Sequence, residues 1–349
     1  MLNRREFFRI SGAALGVVAA GGAFAEEGSA EKAAVSAEAR AVLLHMGVNM
    51  WCDRIPDRWG NCDTPERLAL VGQADHLRFD EGLWREYVDR MVANGLNMAV
   101  IDVGEAVVYP SHPELAVKGS WTPDRLRAEV VRLRGLGIEP IPKLNFSTAH
   151  DTWLKDYGRM VSTPKYYKVC ADVIRDVCEI FGRPRWFHLG YDEETAAHQS
   201  QYEFAVVRQG ELWWHDFLFF VKTVEKLGMR PWIWSDFYWH HPADFLARMP
   251  RSVLQSNWYY AAAFEEAKDF AKKRVQAYVD LDRAGFDQMP CGSNWSSDEN
   301  FGNTVRFCRQ HDSAARLKGF LMAPWYFTVP LHRDKGLQGI DLAGAALRA

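Results

Sequence analysis

The sequence carries no excess of positive charge. Its 42 Lys and Arg stand against 45 Asp and Glu, a net charge of −3, so the basic footprint that a nucleic-acid partner requires is missing. Its six cysteines include no C-x-x-C pair, which argues against a cysteine zinc cluster. Beyond residue 25 no apolar run is long enough to span a bilayer. No G-x-G-x-x-G turn follows the first apolar run. That position reads Asn49-Met50-Trp51-Cys52-Asp53, so the dinucleotide fingerprint is absent and no cofactor is expected. With 48% hydrophobic and 25% charged residues, disorder and coiled coil are excluded for the chain as a whole.

What is present begins with an address. Asn3-Arg4-Arg5-Glu6-Phe7-Phe8-Arg9 precedes a Gly/Ala-rich apolar stretch, Ile10 to Ala25, ending in Ala23-Phe24-Ala25. The paired arginines, the Phe-Phe and the small-x-small ending resemble a twin-arginine export signal. That resemblance implies a signal over residues 1–25, a periplasmic or secreted protein, and no membrane attachment after cleavage. Residues 26–40, rich in Ala, Glu and Ser, read as a linker. Export permits disulfides, and Cys52 with Cys62 is the pair able to close a loop. Cys170 and Cys178 stand about 12 Å apart along a predicted helix, too far to pair.

Aromatics are abundant, with 14 Trp, 12 Tyr and 20 Phe. From residue 41 short apolar runs alternate with amphipathic stretches. The runs are 42–50, 96–103, 138–146, 185–191, 229–234, 253–260, 286–291 and 317–325. The helical patterns between and after them are 80–94, 122–135, 163–182, 211–227, 242–248, 264–284, 298–314 and 338–348. Eight strand-then-helix units predict a parallel sheet closed as a single (β/α)8 TIM barrel over 41–349.

Barrel chemistry sits at the C-terminal ends of the strands. There the sequence places Asn49, Trp51 and Asp53; Asp102 and Glu105; Lys143, Asn145, His150 and Asp151; His188, Tyr191, Asp192, Glu193 and Glu194; Trp234, Asp236 and Tyr238; Asn257 and Trp258; Asn294 and Trp295; Trp325 and Tyr326. Carboxylates interleaved with Trp and Tyr suit a carbohydrate, with acid and base from the first and stacking faces from the second. His240, His241 and Asp244 read as a polar loop and helix start rather than a metal cluster, and no metal is expected. Lys268, Lys272, Lys273 and Arg274 read as a solvated helix face.

The segment His188-Leu189-Gly190-Tyr191-Asp192-Glu193 resembles the His-x-Gly-Gly-Asp-Glu motif of glycoside hydrolase family 20, the β-N-acetylhexosaminidases, which carries it at the end of barrel strand four. Ile141-Pro142-Lys143-Leu144-Asn145-Phe146-Ser147-Thr148-Ala149-His150 resembles that family's strand-three segment. Tyr191 takes the place of the motif's second glycine, and Tyr326-Phe327 follows the strand-eight Trp. The resemblance implies a substrate-assisted retaining hydrolysis. The sugar's 2-acetamido oxygen attacks the anomeric carbon, Asp192 polarises the acetamido group, and Glu193 is the general acid/base. It implies supporting roles for His150 and His188 and pocket roles for Trp234, Asp236 and Trp325, and the strand-end positions add Tyr191, Tyr238, Trp258, Asn294 and Trp295 as substrate-binding candidates. Two other readings stand beside it. One is a glycosidase of another sugar with a protein nucleophile such as Asp236 or Glu299. The other is a barrel that binds glycans without cleaving them.

Overall fold

The computed structural model describes residues 38–60, 62 and 64–349. The segment expected to be an export signal, and most of the expected linker, lie outside the described residues. Eight parallel strands make one sheet: β1 Ala39–His45, β2 Met98–Asp102, β3 Glu139–Lys143, β4 Trp186–His188, β5 Arg230–Trp234, β6 Leu254–Ser256, β7 Cys291–Gly292 and β8 Gly319–Met322. Their order is β6-β5-β4-β3-β2-β1-β8-β7. Parallel bridges Gln255–Gln288 and Trp258–Cys291 join the two ends and close the sheet on itself. The chain is a (β/α)8 barrel. Its helices are α1 Pro65–Val71, α2 Glu81–Ala93, α3 Pro123–Gly135, α4 Pro164–Ile180, α5 Gly210–Lys226, α6 Phe237–His240, α7 Pro242–Arg248, α8 Asp269–Arg283, α9 Asn300–His311 and α10 Arg333–Arg348.

The helix starts follow local chemistry. Thr64-Pro65, Thr122-Pro123 and Thr163-Pro164 open α1, α3 and α4. Each Thr hydroxyl accepts the amide three residues on, and each Pro stands where no amide is needed. Several expected spans shift: β1 begins at Ala39, inside the expected linker, β7 is confined to Cys291–Gly292, and α10 begins at Arg333. The helix expected from residue 264 begins at Asp269, whose φ is 52°. Tyr259 Oη donates to Ala263 O at 2.9 Å, taking the carbonyl that a helix from 264 would use first. The residues after Trp234, expected as a strand end, turn into α6. β6 stops at Ser256, and the last ladder bond is Ser235 N to Ser256 O at 3.0 Å. No disulfide forms among the described cysteines. Cys52 and Cys62, the pair able to close a loop, are not bridged, and Cys52 Sγ faces Gln201 O at 3.4 Å.

Register puts one polar layer across the barrel. His45 pairs with Asp102, Asp102 with Lys143, Lys143 with His188, and His188 with Trp232. Lys143 is fully buried and bonds the Asp102 carboxylate, whose other oxygen lies 2.9 Å from His45 Nδ1. Burial pushes Asp102 up, but Lys143 and His45 outweigh it and its pKa falls below the ordinary value. A charge so deep is tolerable only when paired. Among the described residues no helix is long and apolar enough to cross a membrane.

Candidate active site

The β4 end is where the chain departs from regular geometry. Gly190, Tyr191 and Glu193 all take positive φ, at 69°, 73° and 54°. Left-handed backbone at two non-glycine residues costs on the order of 1–3 kcal/mol each, and such strain collects at functional sites. Adjacent residues of a regular strand face opposite sides. The left-handed turn lets Asp192 and Glu193 line the same cavity.

Side chains from beyond β3 and β5 hold the turn. Asn145 Oδ1 accepts the amides of Ser147 and Tyr191 at 3.0 and 3.2 Å, and its Nδ2 donates to Asp192 Oδ1 at 2.9 Å. Asp236 Oδ2 accepts the Glu193 amide at 2.9 Å. Glu194 leaves in another direction. It takes Arg208 Nη2 at 2.6 Å and the Thr148 amide at 3.2 Å. Arg208 also reaches Asp216 Oδ2 at 3.2 Å, so it pins the long β4–α5 loop to the barrel.

Asp192 and Glu193 open onto a cavity of about 870 Å³, walled by Trp51, Trp59, Trp258, Tyr260, Trp295, Trp325, Tyr326 and Phe327, with Arg58, Arg274, His198, His332 and Lys335 among the polar lining. Volume and lining suit a small molecule of one to a few rings. Among the described residues, the carboxylates that line it are Asp192 and Glu193. His150 Nε2 stands 3.4 Å from Asp192 Oδ2 and 3.4 Å from Glu193 Oε2. His198 Nδ1 stands 3.3 Å from the same Glu193 oxygen.

The charges are set by this crowding. Burial pushes His150 down, yet Asp192 and Glu193 hold it above the ordinary value. Burial pushes Glu193 up, but the adjacent His150 and the charges of His198 and Arg274 bring it below. Asp236 is driven up to about 8 by burial first, then by Asp192 and Glu193, so it stays neutral at pH 7. His198 is lowered, chiefly by burial.

Comparison with known proteins adds the shape of the whole. No family model and no curated protein matches the sequence. Solved structures do match. An exo-β-N-acetylglucosaminidase of glycoside hydrolase family 20 from Vibrio harveyi, in complex with N-acetylglucosamine, is 13% identical over 87% of this chain and 54% of that one, TM-score 0.54. A mutant β-hexosaminidase from Streptomyces plicatus in complex with its product is 13% identical over 87% of this chain and 63% of that one, TM-score 0.56. Dispersin B is 14% identical over 78% of this chain and 95% of that one, TM-score 0.54. The barrel is similar to those of family 20 glycoside hydrolases. At these identities the likeness is one of fold. The chain spans about half the length of the Vibrio protein.

The residues singled out from sequence divide. Trp258, Trp295 and Trp325 line the cavity with Asp192 and Glu193, and His150 touches both carboxylates. Asp236 lies behind the pair as the Glu193 amide's partner. The others face elsewhere. His188 is fully buried in the barrel wall between Trp232 and Trp234, with ring centroids 4.8 and 4.6 Å away. Its Nδ1 accepts the Gly190 amide at 3.0 Å, and burial with the nearby Lys143 charge keeps it neutral. Tyr191 packs among Trp213, Phe217 and Phe220. Trp234 backs onto Trp325 at 5.7 Å. Tyr238 donates to Asp280 at 2.8 Å from α6. Asn294 donates to Lys335 O at 2.9 Å. Period-two reasoning could not see these directions, because left-handed turns and α6 follow the strand ends.

Several cavity residues were missed, among them Trp59, Tyr260, His198 and Arg274. His198 sits in the loop of nearly 20 residues after β4, and such length is itself a functional signal. Arg274 was read as solvated, but it reaches the cavity over Trp239 and Trp258 at 4.4 and 5.0 Å. The signal was its place on the Phe270–Arg274–Tyr278 stripe, where an apolar residue would be routine. His240, His241 and Asp244 form no ligand cluster. Among the described residues, the group close enough to share an ion is His150, Glu193 and His198, from segments too far apart for sequence spacing to reveal.

Proposed function

We propose that this protein is a glycoside hydrolase acting on β-linked 2-acetamido sugars, with Glu193 as general acid/base and Asp192 orienting the acetamido group. One observation carries the reading. The carboxylates lining the aromatic cavity are two neighbours in sequence, with no separate one opposite them among the described residues. The other nucleophile candidates are elsewhere: Asp236 is buried behind Glu193, and Glu299 is exposed at the start of α9. A retaining enzyme with a protein nucleophile needs two carboxylates set about 5 Å apart across the bond. A nucleophile from the substrate removes that need. The likeness to family 20 barrels supports the same chemistry by analogy.

In this mechanism the acetamido oxygen bonds the anomeric carbon as the glycosidic C–O bond breaks. The leaving oxygen takes the Glu193 proton. Water then opens the cyclic intermediate while Glu193 recovers a proton. His150, held above its ordinary value 3.4 Å from Glu193 Oε2, is placed to supply that proton. Asn145 holds Asp192 toward the acetamido nitrogen. Trp258, Trp295 and Trp325 supply stacking faces. Export through the twin-arginine route belongs to the same reading, on the strength of Arg4-Arg5 and Ala23-Phe24-Ala25.

The test is turnover of aryl glycosides with and without a 2-acetamido group. Cleavage confined to the 2-acetamido sugars is expected. Glu193→Gln should lower kcat by roughly 10²–10⁴-fold while leaving the melting temperature in place. Equal cleavage of sugars lacking the acetamido group would overturn the substrate-assisted route, and unaltered turnover in Glu193→Gln would overturn the acid.

A further inference from the structure

The distances around Glu193 are long for hydrogen bonds, and they fit a different object. His150 Nε2 and His198 Nδ1 face the same oxygen, Glu193 Oε2, at 3.4 and 3.3 Å. Hydrogen bonds between N–H and a carboxylate run roughly 2.7–3.2 Å. Two donors bound to one tetrahedral zinc at about 2.0–2.1 Å stand ~3.3–3.4 Å apart. All three donor atoms lie within 4.8 Å of one another. They come from three segments: the loop after β3, the β4 end, and the β4–α5 loop. Glu193 and His198 line the cavity, so a fourth position faces its interior.

We propose that His150, Glu193 and His198 form a binding site for one divalent ion of the zinc class. Two imidazoles and one carboxylate prefer zinc-class ions to magnesium or calcium, which take oxygen ligands. Three protein ligands and one open position are the pattern of an accessible zinc site rather than a closed structural one. The supports are already in place. His150 is fixed edge-on against Trp51 at 5.1 Å, and His198 against Trp59 at 5.7 Å. Glu193 is aimed by the Asp236 bond to its amide. An ion bound there occupies the Glu193 oxygen that acid catalysis requires, so ion binding and proton donation exclude each other. The site goes beyond the hydrolase reading and stands without it.

The experiment is optical titration of the full chain with Co2+, followed by displacement with Zn2+, beside His198→Ala and Glu193→Gln. One Co2+ per chain, with the intense visible absorption of four-coordinate cobalt and removal by Zn2+, is expected. Each variant should weaken binding by more than ~100-fold, beyond the loss an outer-shell partner causes. Melting curves confirm that both variants fold, and His198 lies on a partly exposed loop. Absence of the absorption band, or a band of equal affinity in both variants, overturns the site. Because binding is read without a sugar, its failure leaves Glu193-dependent hydrolysis standing, and failed hydrolysis leaves the ion site standing.

Discussion

The amide of Glu193 donates to Asp236 Oδ2 at 2.9 Å, and this bond ties the β4 turn to the end of β5. Glu193 carries a left-handed backbone with φ of 54°, which relaxes unless something holds it. The partner is a carboxyl that burial, and then Asp192 and Glu193, push up to about 8.

Asp236 therefore acts through Glu193 as a positioning residue. Asp236→Asn retains an acceptor of the same shape and should keep most of the turnover. Asp236→Leu removes it and should lower kcat by at least ~10-fold with little change in KM. Steady-state kinetics on both variants decide it, and equal kcat values would remove the positioning role.

Gly190 makes a second prediction. A Cβ built there falls 2.0 Å from Asn145 Oδ1, at a φ of +69°. Gly190→Ala should push Asn145 off Asp192 and lose activity, with destabilisation of about 1–3 kcal/mol. Urea denaturation and 2-acetamido glycoside turnover measure the two effects.

Arg208 is the costliest residue of the β4–α5 loop to remove. It is buried and bonds Glu194, Asp216 and Phe146 O. Arg208→Met leaves two buried carboxylates without their cation, and should cost about 3–5 kcal/mol in chemical denaturation. The same loop carries His198, so cobalt binding should weaken with it.

Asp151 sets a pH dependence of stability. It is buried, and burial pushes its carboxyl from 3.8 up to about 8. Between those values the unfolded chain has released this proton and the folded chain still holds it. Stability from this group is thus complete below pH 4 and is lost as pH rises through 8. Asp151→Asn, neutral throughout, should lose less stability from pH 4 to 8, by on the order of 5 kcal/mol at full expression. Denaturation at a series of pH values reads the difference, and parallel curves would exclude Asp151 as the source.

The barrel was legible because its signals are local. Thr-Pro pairs start helices, amphipathic stripes set their faces, and eight apolar runs alternate with them. The Asp192–Glu193 pair was legible because a motif of adjacent residues survives in one dimension. Cavity membership was not. His188 and Tyr191 sit four and one residues from Asp192, yet they face the barrel wall and α5, because three positive-φ residues reset direction within four positions. Asn145, 47 residues away, is what holds Asp192.

The amino-acid sequence by itself determined the strand and helix order, and with it a closed parallel barrel whose chemistry lies at the strand ends. Propensity, capping and periodicity act between near neighbours, so they can be read along the chain. Only the tertiary structure decided which polar groups meet. His150, Glu193 and His198 converge from three segments, Arg274 turns inward, and Asp236 is buried behind Glu193. Distance and burial control these outcomes, and both exist only once the barrel has closed.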